Sequence, residues 1–101
     1  MGFLQSIFKA TEKTDFKKMV ADGAVIVDVR SAGEFASGHI PGSVNIPLEQ
    51  LSFRADELEG KKVITCCRSG NRSGIALHIL GESGIEATNG GAWDSLLEKL
   101  R

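Results

Sequence analysis

Val63-Ile64-Thr65-Cys66-Cys67-Arg68-Ser69-Gly70-Asn71-Arg72-Ser73-Gly74-Ile75-Ala76-Leu77-His78-Ile79-Leu80 changes character twice along its length. The opening run is short, apolar and rich in β-branched residues, the signature of a strand buried on both faces. A small polar loop with two arginines follows. The next stretch reads as a helix from Ser73 to Leu80, with Ser73 as its N-cap. At the start of a helix the first backbone N–H groups point outward unpaired, and the helix dipole favours negative charge. The loop is therefore an anion cradle, and Cys67 lies at its mouth. A thiol in such a place is expected to have a depressed pKa, to be open to solvent and to act as a nucleophile. Gly70 gives the loop a backbone conformation closed to other residues, so the chain can curl round the sulfur.

Working outward, Ala24-Val25-Ile26-Val27-Asp28-Val29 is a second buried strand, Ser43-Val44-Asn45-Ile46 a short one, and Ile85-Glu86-Ala87-Thr88-Asn89 a last one closed by Gly90-Gly91. Between them lie helical stretches. Thr14 is read as the cap of Asp15 to Ala21, Ser31 and Glu34 form a capping box, Leu48 to Leu58 is helical in part, and Trp93 to Leu100 turns Leu96, Leu97 and Leu100 inward. Strands alternating with helices predict an α/β domain: three layers, with a central, mostly parallel five-stranded sheet covered by helices on both faces. Ligands bind such sheets beyond the carboxyl ends of the strands, where Cys67 falls.

The 101 residues are read as one domain, 1–101, with residues 1–10 as an N-terminal extension. Net charge is −1 and the basic residues do not gather on one face, so no nucleic-acid partner is indicated. Gly2 to Phe8 is apolar but too short for a membrane span, and Phe3, Leu4, Ile7 and Phe8 are expected to pack on the core. Met1-Gly2 with Ser6 also fits the loose N-myristoylation pattern. The two cysteines are adjacent, which excludes a CxxC metal ribbon or a disulfide framework. Two resting thiols suit a cytoplasmic location. Two separated histidines make no metal site, and no cofactor is expected.

Taken together, Asp28-Val29-Arg30, Glu34-Phe35, Gly38-His39-Ile40-Pro41-Gly42-Ser43-Val44-Asn45-Ile46-Pro47, Cys67 to Ser73, Gly90-Gly91 and Trp93 resemble the rhodanese domain from about Thr11 to Arg101. The resemblance implies a sulfurtransferase of the thiosulfate:cyanide type. Cys67 would be the catalytic nucleophile, accepting sulfur from a small donor such as thiosulfate or a persulfide. The resulting Cys67 persulfide would pass its sulfur to cyanide, a thiol or a sulfur-relay protein. Arg68, Ser69, Gly70, Asn71, Arg72 and Ser73 would form the substrate and anion-binding loop. Ser69 and Ser73 would add hydroxyl donors, Arg68 would attract anionic donors at the rim, and Arg72 would fold back onto Glu34. Asp28 and Arg30 would support the site by bonding across the loop ends.

Loop length separates two chemistries. Cysteine phosphatases on a related scaffold use Cys-x5-Arg, but here the spacing from Cys67 to Arg72 is Cys-x4-Arg, and position 73 is Ser73. The tighter ring suits sulfur better than phosphate. Cys66 departs from the common pattern and is read as a core residue, since neighbouring side chains of a strand face opposite ways. The sharper reading is that it resolves an oxidised or persulfidated Cys67. His39 is read as a hydrogen-bonded turn residue, His78 as a surface residue, and Trp93 as a residue of core and site wall. Two further functions stay open: a persulfide or redox relay to a protein partner, and a non-catalytic rhodanese-like binding module.

Overall fold

The computed structural model describes residues 7–8, 10–11 and 13–101. The placement of Phe3 and Leu4, the side chains of Ile7 and Phe8, and the Met1-Gly2 motif lie outside the described residues. Five strands form one wholly parallel sheet: β1 (Ile7–Phe8), β2 (Val25–Asp28), β3 (Val44–Asn45), β4 (Val63–Cys67) and β5 (Ala87–Ala92), in the order β1-β5-β4-β2-β3. The helices are α1 (Phe16–Ala21), α2 (Ala32–Ser37), α3 (Leu51–Arg54), α4 (Asn71–Glu82) and α5 (Trp93–Lys99). Single 3₁₀ turns flank α3 at Leu48–Gln50 and Ala55–Leu58.

Strand alternation sorts the core into two layers. Val27, Val63, Cys67 and Ala87 face Leu51, Leu58, Ala76, Leu77 and Leu80 of the α3–α4 side. Ile26, Ile64 and Cys66 face Phe16 and Leu96 of the α1–α5 side. Both faces of β4 are covered along its whole length, as its apolar run requires. Among the described residues no helix is long and apolar enough to cross a membrane.

Three boundaries differ from the expectation. Asp15, not Thr14, caps α1: its carboxylate accepts the Lys18 N–H, while the Thr14 hydroxyl is engaged by the Thr11 N–H. Ser73 is not the cap of α4. The helix begins two residues earlier at Asn71, and Gly70 caps it with φ +100°, a conformation that strains residues with a Cβ. The last strand does not stop at the glycines but runs through them to Ala92. Gly90 is required there, because a Cβ would lie 2.8 Å from the Thr65 carbonyl oxygen and 2.9 Å from Ile64 and Leu96 side-chain atoms.

Candidate active site

The site lies where β4 ends, between the start of α4 and the end of β5. The chain leaves Cys67, passes the exposed Arg68 and Ser69, and doubles back at Gly70. This turn aims main-chain donors at the sulfur. The Gly70 N–H donates to Cys67 Sγ at 3.0 Å and the Ser73 N–H at 3.4 Å, with the Ser73 hydroxyl also 3.4 Å away. Burial pushes the Cys67 thiol up. The Ser73 hydroxyl and the N–H groups of Ser73, Ser69 and Gly70 outweigh it, and the net displacement is below the ordinary thiol value.

The expectation of a solvent-open thiol is corrected. Cys67 has 0% exposure. The same turn that brings the Gly70 and Ser73 N–H groups to Sγ draws the loop over the sulfur.

The arginines behave differently. Arg72 on α4 reaches Glu34 on α2 with a two-pronged ion pair, Nη1 to Oε1 at 2.7 Å and Nη2 to Oε2 at 3.1 Å. Arg72, with the N–H and hydroxyl of Ser31, holds the Glu34 carboxyl down at about 2. Glu34 thus serves α2 as its capping box and the loop as its anchor. Arg68 is exposed and has no ion-pair partner among the described residues. Asn71 is exposed at the first position of α4.

Behind the loop, Asp28 and Arg30 form a buried pair, with Nε 2.9 Å from Oδ1 and Nη2 2.7 Å from Oδ2. Arg30 also donates to the carbonyls of Gly38 (2.7 Å) and Glu34 (3.2 Å) and lies 4.8 Å above the Trp93 ring. The pair thus ties α2 to the end of β2 and the start of α5, with the charges matched as burial demands. Trp93 packs with the α1–α5 layer, its ring beside Arg30 and Gly38. His39 stacks on Phe35, and its Nδ1–H donates to the Phe35 carbonyl at 2.7 Å. His78 is exposed on α4.

Cys66 points away from this loop into the α1–α5 layer. Its thiol is pushed up to about 12, first by burial and then by the nearby Asp28 charge.

One site residue lies outside the sequence reading. Asn89 on β5 accepts the Ser73 hydroxyl at Oδ1 (2.7 Å) and donates from Nδ2 to the Gly70 carbonyl (3.2 Å). Its signal was its place directly before Gly90-Gly91, where a bulge brings β5 against the loop.

The family model for the rhodanese-like domain matches residues 12–91. The chain belongs to the rhodanese-like domain family. This rhodanese-like domain is 37% identical over 83 residues to the Bacillus subtilis protein YqhL, a match covering 81% of this chain and 65% of that one. Among solved structures it resembles the human single-domain sulfurtransferase TSTD1, at 30% identity and a TM-score of 0.71, covering 93% of this chain and 96% of that one. It also resembles an Escherichia coli rhodanese solved with anions, at 29% identity and a TM-score of 0.66, covering 71% and 89% of the two chains. The matched segment spans only 37% of the Synechocystis protein slr1261, 65% of YqhL and 34% of YrkF from Bacillus subtilis.

Proposed function

We propose that this rhodanese-like domain is a sulfurtransferase that carries a sulfane sulfur as a persulfide on Cys67. The observation that supports this most is the ring of donors from Gly70 and Ser73 around a covered sulfur. A neutral core thiol has no use for them, whereas a thiolate and then a persulfide anion both do. The structural likeness to a human protein named as a single-domain sulfurtransferase agrees with this reading.

The reaction has two displacements. The Cys67 thiolate attacks the outer sulfur of thiosulfate, the S–S bond of the donor breaks, and sulfite leaves with the bonding pair. Cyanide or a thiolate then attacks the terminal sulfur of the persulfide, and Cys67 leaves with its electron pair. No external oxidant or reductant is consumed. Both leaving groups are stable anions near neutral pH, so no general base is needed. Arg68 at the rim draws the anionic donor in, and the main-chain N–H groups hold the charge on sulfur without rearranging. Because Cys67 is covered, the tip at Arg68–Gly70 must lift for the donor to enter. The Arg72–Glu34 pair anchors the far side of the loop while it does.

The test is thiosulfate:cyanide turnover of the wild type beside Cys67→Ser, with intact mass after thiosulfate. One added sulfur on the wild type alone is expected, and equal turnover by the two proteins would refute the assignment. The covered sulfur also favours a second reading, a relay in which a protein partner lifts the loop as it docks. That reading expects turnover with a protein persulfide donor to exceed turnover with thiosulfate.

A further inference from the structure

Asn89 stands at a β-bulge. Thr65 pairs with Asn89 and Cys67 with Ala92, so β5 advances three residues (89 to 92) while β4 advances two (65 to 67). Bulges re-aim side chains, and this one turns the Gly91 N–H back onto Asn89 Oδ1 at 2.8 Å. The carboxamide has one possible orientation. Nδ2 faces the Gly70 carbonyl, so it must be the donor end, and Oδ1 faces two donors. The Ser73 hydroxyl carries a single proton and meets two acceptors, Asn89 Oδ1 at 2.7 Å and Cys67 Sγ at 3.4 Å. When Cys67 is protonated, its S–H points to Ser73 Oγ and the serine proton stays on Asn89. When Cys67 is ionised, the serine proton must turn from Asn89 to sulfur. That turn strands nothing, because Asn89 Oδ1 keeps the Gly91 N–H.

We propose that Asn89 is a positioning residue: its amide oxygen competes with the Cys67 sulfur for the one Ser73 hydroxyl proton and thereby sets the reactivity of that sulfur. The inference rests on the sulfur-transfer reading of Cys67. The charged and titratable groups around the thiol are the exposed Arg68 next in the chain, Arg72 on α4, neutralised by Glu34 on α2, and Cys66 on the same strand, next to the Asp28–Arg30 pair at the end of β2. None of them bonds to Asn89, so Asn89 variants leave them in place.

The experiment is the pH profile of Cys67 alkylation by iodoacetamide, read by intact mass, for the wild type, Asn89→Ala, Ser73→Ala and the double variant. The high-pH plateau reports access to the sulfur, and the midpoint reports its acidity. Asn89→Ala should release the serine proton to sulfur and move the midpoint to lower pH, equivalent to about a 3-fold larger thiolate-to-thiol ratio at a given pH. Ser73→Ala should move it up, and the double variant should match Ser73→Ala. Asn89→Asp, whose carboxylate accepts the proton more strongly, should also move it up. A midpoint unmoved by Asn89→Ala, or a shift that survives in the Ser73→Ala background, would overturn the inference alone. An ordinary thiol midpoint in the wild type would overturn the sulfur-transfer reading, and this one with it.

Discussion

Cys66 and Cys67 are neighbours on one strand and equally sealed from water, at 0% exposure each, yet their thiols are driven in opposite directions. Cys66 sits among Phe16, Ile26, Ile64 and Leu96, where no donor of the described residues meets its sulfur and a carboxylate lies nearby. Cys67 receives the Gly70 and Ser73 N–H groups and the Ser73 hydroxyl. Burial alone therefore does not decide the chemistry of a cysteine. What decides it is whether the covering atoms are carbon or N–H. Strand alternation gives one residue to each environment, so a single step along the chain separates a core thiol from a candidate nucleophile.

The comparison is broken most severely at the thiols themselves. Cys67→Ser is expected to lower sulfur transfer about 1000-fold or more, and Cys66→Ala by less than about 3-fold, in the same turnover assay. A comparable loss from Cys66→Ala would restore the idea that Cys66 resolves the persulfide. Next comes the turn. Gly70→Ala forces a Cβ onto a backbone at φ +100° and withdraws the N–H from Sγ, so alkylation of Cys67 near neutral pH should slow about 10-fold while Cys66 stays unreactive in the folded protein. Mass-resolved labelling of both thiols reads the two sides in one experiment.

The loop anchor should matter less. Arg72→Ala and Glu34→Ala are each expected to reduce turnover about 5-fold, with the double variant no worse than either single one, because both remove one pair. Glu34 titrates from 4.5 when unfolded to about 2 when folded. Its contribution is complete above 4.5 and fades only as pH falls towards 2. Activity lost on acidification above pH 4.5 should therefore follow protonation of Cys67 rather than of Glu34, and the Glu34→Ala profile should keep the wild-type shape.

The smallest effect sharpens the other side. Cys66 ionises near 9.0 in the unfolded chain but about 12 in the fold, so the unfolded state sheds its proton first as pH rises. Stability should fall between these values by up to about 1.4 kcal/mol per pH unit, and Cys66→Ala should remove that slope in urea titrations. Cys67, lowered rather than raised, contributes stability that is present above 9.0 and lost as pH falls through its folded value. An unchanged alkaline slope in Cys66→Ala would show that the fold does not drive the two thiols in opposite directions.

The sequence by itself determined the layers and the partition of the two cysteines. Val25 to Asp28 and Val63 to Cys67 are apolar enough to be buried on both faces, and period-two alternation sends Cys66 and Cys67 opposite ways without further information. The Ser31–Glu34 capping box was legible because both partners lie within one helical turn. The Arg72–Glu34 pair, 38 residues apart, was foreseeable only through the resemblance to a family. The tertiary structure alone decided the rest: the early start of α4 at Asn71, the closing of the loop over the sulfur, and the entry of Asn89 from β5 into the Ser73 hydrogen bonds. These depend on how a bulge in one strand meets a left-handed turn after another, so close that a Cβ on Gly70 would lie 3.6 Å from Gly91 Cα, an approach that no local propensity encodes. Hydrophobic pattern is a property of the chain, whereas the direction of a hydroxyl proton is a property of whatever the fold brings beside it.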